Sequence, residues 1–180
     1  MQLPEMLERI VSKLHKEGGD DAKAGVAVIF RVDRGKLMLL LVKRAVVPGD
    51  PWSGDMAFPG GKRTPPDEAI METVAREVME ETSINIKMGR YLGMMGPVLS
   101  SVRRNMTVAP LVFLLDDVPE ITINDELSSY QWTEFGQLRW RRGRSLVKDR
   151  DVPVFDVGEE RVWGLTYRML NRLLEMAEED

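Results

Sequence analysis

Residues 60–84 read GGKRTPPDEAIMETVAREVMEETSI, a glycine-rich turn followed by a segment with helical spacing. The predicted helix, residues 67–82, places Glu77, Glu80 and Glu81 at positions i, i+3 and i+4. Side chains at these positions share one face of an α-helix. Three clustered carboxylates repel one another unless a cation sits among their oxygens, and Mg²⁺ is a cation that proteins bind through oxygens beside substrate phosphates. The spacing therefore predicts a metal site on this helix.

A helix that simply faces solvent is the alternative explanation for these acids. Arg76 could pair with Glu80 at i, i+4, which would stabilise the helix by about 0.3 kcal/mol. Two features favour a site instead. Gly60 and Gly61 allow the backbone to approach a ligand closely. The apolar residues of the same segment form a stripe beside the acids, as expected of a helix docked on a sheet.

The stretch resembles the Nudix box, written G-x(5)-E-x(7)-R-E-U-x-E-E-x-G-U, in which U is an aliphatic residue. Gly61 matches the first glycine, residues 76–81 match R-E-U-x-E-E completely, and Ile84 matches the last aliphatic position. A box of this length with an intact R-E-U-x-E-E core is a specific signal, far stronger than an isolated glycine motif.

Two positions depart from the pattern of the box. Ser83 replaces the glycine near the helix end, where a left-handed C-cap favours glycine. The first glutamate is either Glu68, one residue later than the pattern places it, or Asp67 standing in for it. Either acid could also cap or charge the start of the helix, behind the two prolines that precede them. Neither departure touches the three carboxylates expected to bind metal.

The resemblance extends beyond the box to a coenzyme-A-pyrophosphatase-like branch of the family. Residues 50–61 (DPWSGDMAFPGG) are similar to its approach segment, residues 40–44 (LLVKR) resemble its L-L-T-x-R start, and residues 163–168 (WGLTYR) also resemble it. A further arginine of that branch has no counterpart in residues 46–52. Altogether the likeness covers roughly residues 24–175.

The resemblance implies an α/β fold, a Nudix-type α/β/α sandwich with a mixed β-sheet. It implies a hydrolase that cleaves a diphosphate linkage in a nucleotide-linked small molecule, with coenzyme A or an ADP-ribose-like compound as substrate. A pyrophosphatase for noncanonical nucleoside triphosphates is the alternative enzyme. A catalytically silent Nudix module that binds a nucleotide is an alternative from another class, and the intact Arg76, Glu77, Glu80 and Glu81 argue against it.

The expected metal is Mg²⁺, with Mn²⁺ as the alternative. Glu77, Glu80 and Glu81 supply hard oxygen ligands, and the family implies the Gly60 carbonyl as a further ligand. Arg76 would pair with a carboxylate and fix its rotamer. The role of this arginine could equally be structural.

The catalytic set predicted from the sequence is Arg76, Glu80, Glu81 and Glu126. Related enzymes often place a distal carboxylate where Glu126 stands, and Asp125 beside it is an equal alternative. The sequence leaves open which of Glu80, Glu81 and Glu126 is the general base.

Substrate binding is assigned to Arg44, at a predicted strand end, together with Gly60 and Gly61. Arginine binds phosphate bidentately, so the arginine-rich segment 139–144 is a further candidate, although solvated surface arginines are the simpler explanation. Trp52 could line a base pocket with two methionines, Met94 and Met95, which are more often core residues.

Composition sets limits that agree with this assignment. A chain of 180 residues predicts a single domain, here residues 1–180. The net charge of −4 argues against a general nucleic-acid surface, and 0 Cys excludes disulfides and thiolate zinc sites. His15 is the single histidine, which argues against a Ser–His relay. No apolar run approaches about 20 residues, so no membrane span is expected, and a cytoplasmic location is the default.

The periodicity predicts alternating strands and helices. Helical spacing covers residues 3–16, which could pack on their own domain or form a homodimer contact. Residues 25–33 and 37–44 read as a β-hairpin. Further strands are expected near 85–98, 106–115, 127–133 and 152–157, residues 139–151 read as a basic loop, and residues 164–178 read as a final helix. Pro110 predicts an edge position or a bulge.

Overall fold

The computed structural model describes residues 3–178. The helices are α1 (Glu5–Ser12), α2 (Ile70–Thr82) and α3 (Gly164–Ala177), and short 3-10 helices cover Ile86–Met88 and Phe135–Trp140. The strands are β1 (Ala24–Asp33), β2 (Lys36–Arg44), β3 (Met56–Ala57), β4 (Gly60–Lys62), β5 (Arg90–Met94), β6 (Val98–Leu99), β7 (Thr107–Leu115), β8 (Leu127–Glu134), β9 (Arg142–Val147), β10 (Arg150–Val157) and β11 (Glu160–Val162).

A mixed sheet forms the centre of the molecule. Strand β1 runs parallel to β7 and antiparallel to β2, and β5 and β6 pair with the other edge of β7. The predicted hairpin is confirmed, because Asp33 in β1 pairs with Lys36 in β2. The turn residues Arg34 and Gly35 both have positive φ, 49° and 78°, as a tight two-residue hairpin turn requires. Strands β9, β10 and β11 form a separate antiparallel sheet.

The hairpin of β1 and β2 splits open away from its turn. The end of β1 near the turn pairs with β2, whereas its first residues, 24–26, pair with β4. The end of β2, at Val42 and Lys43, pairs with β3. Because β7 covers the other edge of β1 and β8 covers the other edge of β2, the segment 56–62 lies in the gap between β1 and β2. The glycine pair of the box therefore lies inside the sheet.

Helices cover both faces of the mixed sheet. Along β1, Ala27 and Ile29 face a cluster that includes Val74 and Val78 of α2. The alternate residues, Val28 and Phe30, face a larger cluster on the other side, which contains the buried side chains of α1 and α3. This alternation is the period of two expected for a strand buried on both faces. The α/β/α sandwich predicted from the sequence is confirmed.

The start of α2 is held by a distant residue. The helix begins at Ile70, three residues later than predicted. Its N-cap residue, Ala69, has no oxygen on its side chain, and the Ile70 N–H donates instead to Asp20 Oδ1 at 2.9 Å. Neither Asp67 nor Glu68 caps the helix as the sequence suggested, because the Asp67 carboxylate accepts hydrogen bonds from Thr64, Thr73 and Arg76.

The N-terminal helix is shorter than the predicted segment 3–16. It ends at Ser12, and His15 forms an isolated β-bridge with Met94, with backbone N···O distances of 2.9 and 2.7 Å. Pairing with the end of β5 satisfies this backbone outside a helix. Leu7 and Ile10 are fully buried in the protein's own core, so the apolar face of α1 is used within the chain. The final helix also ends one residue before the predicted limit of 164–178, because Glu178 is extended.

Two other segments differ from the sequence prediction. Residues 85–98 are not one strand, since a 3-10 helix at Ile86–Met88 precedes β5 and β6. Residues 139–151, predicted as a loop, contribute to a 3-10 helix and to the β9–β10 hairpin. Pro110 lies in an interior strand, β7, where the pairing on one side changes from β5 to β6. The Met95 N–H donates to its carbonyl at 3.0 Å. The lack of a proline N–H is tolerated at this break in the ladder.

None of the helices formed by residues 3–178 is both long and apolar enough to cross a bilayer.

Ser83 generates a stability prediction. It ends α2 in the left-handed conformation, with φ 63° and ψ 12°, and its hydroxyl donates to the Thr122 carbonyl at 3.1 Å. A side chain in this conformation is strained, whereas glycine is not. Ser83→Gly and Ser83→Ala both remove the hydroxyl, so we expect the glycine variant to be more stable than the alanine variant by about 1 kcal/mol. Urea denaturation measures the difference, and an alanine variant as stable as the glycine variant would contradict the assignment of strain.

Candidate active site

Three carboxylates converge beside the split in the sheet. One carboxylate oxygen from each of Glu77, Glu81 and Glu126 lies within 4.8 Å of the other two. Two of these residues come from the last turns of α2, and Glu126 immediately precedes β8. The Ala45 N–H donates to the Glu126 carbonyl at 2.9 Å, which holds this residue at the end of β2. Oxygen ligands of this kind suit a hard divalent cation.

Glu81 is the most enclosed of the three acids. Its exposed fraction is 2%, and its Oε2 accepts a hydrogen bond from the Gly60 N–H at 3.2 Å. Burial raises the pKa of Glu81 to about 8, and the charges of Glu77 and Glu126 act in the same direction, whereas Arg44 opposes them. Without a cation, this carboxyl therefore holds a proton at neutral pH.

Glu77 is held in place by a neighbour on each side. Arg76 Nη1 donates to its Oε1 at 2.8 Å. Burial raises the pKa of Glu77, and the Arg76 guanidinium opposes that effect. A Cβ on Gly61 would come within 2.5 Å of the Glu77 Cδ and 2.7 Å of its Oε2. The first glycine of the box thus leaves the space that the Glu77 carboxylate occupies.

Arg76 joins the helix to the segment that precedes it. Its Nη2 donates to Asp67 Oδ2 at 2.8 Å, and the same oxygen accepts from Thr73 Oγ1 at 2.9 Å and from the Thr64 N–H at 3.1 Å. The bond from Arg76 holds the pKa of Asp67 well below its usual range. Asp67, and not the exposed Glu68, therefore stands in the position that pairs with the arginine of the box.

Glu80 lies outside the group of three acids. Its side chain is 53% exposed, and its Oε1 is 3.8 Å from Arg76 Nη1. The same nitrogen binds Glu77, so the two carboxylates are neighbours, and the charge of Glu80 contributes to the raised pKa of Glu77. The structure brings Glu126 into the cluster in the place that the helix spacing gave to Glu80. A role for Glu80 as a metal ligand stays a prediction.

The acids open into a cavity of about 580 Å³. Trp52, Trp163 and several apolar side chains form much of its lining. Gly60 and Gly61 also line it. Their role in binding substrate and the role of the Gly60 carbonyl as a metal ligand stay predictions.

Arg44 lies in the wall of this cavity, as its position at the end of β2 suggested. Its Nη2 pairs with Asp50 Oδ2 at 3.0 Å. Its Nε is buried and has no hydrogen-bond partner among residues 3–178. This nitrogen is a donor that the protein itself leaves unused.

Of the other candidates for substrate binding, Trp52 lies at the cavity, whereas the two methionines and the arginines of segment 139–144 do not. Trp52 lines the cavity, and the Arg103 guanidinium lies 5.0 Å from the centroid of its ring system. Met94 and Met95 are buried in the core on opposite faces of the sheet. The arginines of segment 139–144 are not among the residues that line the cavity.

Sequence reasoning missed Arg150, which does line the cavity. It follows Lys148 and Asp149, which both have positive φ, 48° and 62°. These two residues form the turn between β9 and β10. Two polar residues between alternating strands were the available signal for this hairpin. The segment was predicted to be a loop because it is rich in arginine.

Comparison with known proteins identifies relatives across most of the chain. The model of the NUDIX domain family matches residues 21–152. A Nudix hydrolase of Yersinia pestis, NudL, is 31% identical over 182 aligned positions, which cover 97% of this chain and 89% of that protein. The mitochondrial coenzyme A diphosphatase NUDT8 of Mus musculus is 27% identical and covers 90% of this chain and 80% of its own length. A NudL protein of Yersinia enterocolitica aligns at 30% identity over 68% of this chain and 66% of that protein.

Solved structures support the fold. The MutT protein of Methanosarcina mazei superposes with a TM-score of 0.56 at 23% identity, over 87% of this chain and 94% of that one. The NUDIX domain of Shewanella oneidensis NrtR, solved in complex with ADP ribose, superposes with a TM-score of 0.56 at 16% identity, over 89% and 91% of the two chains.

The raised pKa of Glu81 predicts how stability depends on pH. In a chelator, the folded protein keeps a proton on Glu81 up to about pH 8, whereas the ordinary pKa of this group is 4.5. The folded state then binds more protons than the unfolded state, so the free energy of unfolding falls as pH rises from about 5 to about 8. Glu81→Gln carries a neutral amide and should remove most of this fall. Urea denaturation in EDTA at several pH values measures both slopes, and equal slopes would contradict the assignment.

Gly61 predicts a steric effect on metal affinity. In Gly61→Ala the added Cβ displaces the Glu77 carboxylate, so we expect the affinity for Mn²⁺ to fall by about tenfold or more. Gly143→Ala is the matched control, since nothing lies within 4 Å of the Cβ it would add. Titration followed by the paramagnetic signal of free Mn²⁺ compares the two variants. Similar affinities in both would show that the Gly61 position does not control the placement of Glu77.

Proposed function

The chain belongs to the Nudix hydrolase family, and we propose that it is an Mg²⁺-dependent hydrolase that cleaves a diphosphate linkage in a nucleotide-linked metabolite, coenzyme A or an ADP-ribose-like compound. The observation that carries this proposal is the convergence of Glu77, Glu81 and Glu126 within 4.8 Å beside a cavity of about 580 Å³. Pockets of this size bind small molecules the size of a nucleotide.

The metal-binding residues in this proposal are Glu77, Glu81 and Glu126, with Glu80 able to join them because its carboxylate is exposed. A divalent cation held by such oxygens neutralises phosphate charge and lowers the pKa of a bound water. Glu81 has to release its proton before it can act as a ligand, so loading the site expels a proton. Arg76 keeps Glu77 in the orientation that the site needs, through the bond at 2.8 Å.

The candidate general bases differ in how far each carboxylate is exposed to solvent. Glu80 and Glu126 are exposed, so either can take a proton and pass it to solvent. Glu81 is enclosed and is better suited to act as a ligand. Arg44 is proposed to donate to phosphate oxygens, since its Nε is unused and its charge acts on Glu81.

The substrate class is supported by the relatives and by the walls of the cavity. The mouse relative is named a coenzyme A diphosphatase, and the Shewanella domain was solved with ADP ribose. Trp52 and Trp163 offer aromatic surfaces on which a base can stack. Noncanonical nucleoside triphosphates are the alternative substrates. A silent module would not need three converging acids, of which one is buried with a raised pKa.

A cytoplasmic location is proposed from composition alone, and the mouse relative is named as mitochondrial.

A substrate screen tests the proposed function. Coenzyme A, ADP-ribose, NADH, dinucleoside polyphosphates and nucleoside triphosphates are incubated with the protein and Mg²⁺ or Mn²⁺, and products are separated by anion exchange. We expect metal-dependent cleavage of a diphosphate linkage in at least one of them.

Glu81→Gln and Glu126→Gln should lower kcat by about 100-fold or more, because each removes a charged oxygen ligand. Glu80→Gln should lower kcat by about tenfold or more, because it removes the exposed carboxylate beside Glu77.

Glu68→Gln is the matched control for these variants. Glu68 is an exposed acid of the same box, outside the cluster, so its loss should leave kcat within about twofold of the wild-type value. Absence of a phosphate-containing product from every compound would favour the silent module. Full activity in Glu81→Gln and Glu126→Gln would show that catalysis occurs elsewhere.

A further inference from the structure

The β9–β10 hairpin is fastened to one wall of the cavity. Lys148 Nζ, at its turn, donates to the Pro51 carbonyl at 2.9 Å and lies 3.0 Å from Asp55 Oδ1. The same ammonium lies 5.2 Å from the centroid of the Trp163 ring system. Pro51, Asp55 and Trp163 all line the cavity. These contacts hold the turn of the hairpin against the loop between β2 and β3 and the residue that precedes α3.

Arg150 follows this turn as the first residue of β10, opposite Val147. It lines the cavity and is exposed. Within residues 3–178, its guanidinium makes no hydrogen bond or ion pair. Arg144, on the paired strand, lies 3.2 Å from Asp151, and Arg44 in the cavity wall lies 3.0 Å from Asp50. Arg150 is thus an exposed residue in the wall of the cavity, and its guanidinium has no partner among the described residues.

Lys62 also lines the cavity, but it lies on the side of the carboxylates and not in the second sheet. It is the last residue of β4, directly after Gly61, and so belongs to the side that carries Glu77. Arg44 also serves that side, since its charge acts on Glu81. The reacting diphosphate has to lie at the carboxylates, where these two cations are. Arg150 belongs to the second sheet, and the turn of its hairpin contacts Trp163 through Lys148. It can therefore bind an anionic group of the substrate other than the reacting diphosphate.

The chemistry of arginine indicates which group this is. A guanidinium is always charged, accepts no hydrogen bonds, and binds planar or tetrahedral oxyanions through two parallel N–H donors. We propose that Arg150 binds a phosphomonoester that the substrate carries in addition to its diphosphate linkage, and so selects a nucleotide with this extra phosphate over the same nucleotide without it. The proposal rests on the proposed function, because it concerns the same cavity.

Matched substrates test this assignment. Coenzyme A and 3′-dephospho-coenzyme A share one diphosphate linkage and differ by a single phosphomonoester. We expect the wild-type protein to favour coenzyme A in kcat/KM, mainly through KM. Arg150→Ala should lower kcat/KM for coenzyme A by about tenfold or more, the loss typical of a hydrogen bond to a charged group, and leave the dephosphorylated compound within twofold. Arg150→Lys keeps the positive charge but loses the two parallel N–H donors, so it should retain more of the preference for coenzyme A than Arg150→Ala does.

Arg144→Ala is the control, because it removes an arginine from the same hairpin that is not among the residues lining the cavity. It should change neither kcat/KM nor the preference. An equal loss on both substrates in Arg150→Ala, or no loss on either, would overturn the assignment. Thermal unfolding of each variant verifies that the fold is retained.

A binding measurement keeps the test independent of turnover. Calorimetry compares adenosine 3′,5′-bisphosphate with 5′-AMP on the wild-type protein and on Arg150→Ala. Tighter binding of the bisphosphate that disappears in Arg150→Ala supports the proposal even if neither coenzyme is hydrolysed, in which case the proposed function alone fails. Equal binding of the two nucleotides to the wild-type protein, or a preference that survives in Arg150→Ala, overturns it.

Discussion

The site depends on keeping one carboxyl group, Glu81, almost entirely out of water. Burying an ionised acid is costly unless it is paired, and without a cation the group holds its proton instead. The hydrogen bond from the Gly60 N–H stabilises the buried group, and Gly60 can offer it because β4 lies inside the split between β1 and β2. The opening of the central hairpin and the burial of Glu81 are therefore parts of one arrangement. In the proposed function, this buried carboxyl would release its proton when a metal ion binds.

The rotation of α2 about its axis follows from its packing on the sheet and from contacts at its start and near its middle. Val74 and Val78 pack on the sheet, which turns Glu77 and Glu81 towards the split. Asp20 holds the start of the helix. Near its middle, Arg76 connects the segment before the helix to the Glu77 carboxylate, since it binds Asp67 and Glu77 at 2.8 Å each. A chain of charged hydrogen bonds thus positions a carboxylate through residues that do not belong to the cluster themselves.

The cavity is assembled from parts of the chain that are far apart in sequence. The loop after β2 supplies Trp52, the segment before β8 supplies Glu126, and the residue before α3 supplies Trp163. The second sheet adds Arg150. Two of the three clustered acids thus belong to the box, whereas Glu126 and much of the cavity lining belong to connections and to the small sheet. Binding residues carried on connections over a rigid scaffold are common in proteins.

The sequence by itself determined the helix of the box, its C-terminal end and its apolar face, because these are set by helical periodicity and by residues close in the chain. It also determined the hairpin of β1 and β2, whose turn is local. It did not determine that Arg76 binds Glu77 or that Ser83 takes the left-handed conformation. Glu126 was suggested only by resemblance, and periodicity could not rank it above Glu80.

The tertiary structure alone decided that Glu126 joins Glu77 and Glu81, that Asp20 caps α2, and that Arg150 reaches the cavity. Each of these contacts joins residues whose separation along the chain leaves no periodic trace. Their positions depend on how sheets and helices pack, and this packing fixes where a side chain ends only after the whole core has formed.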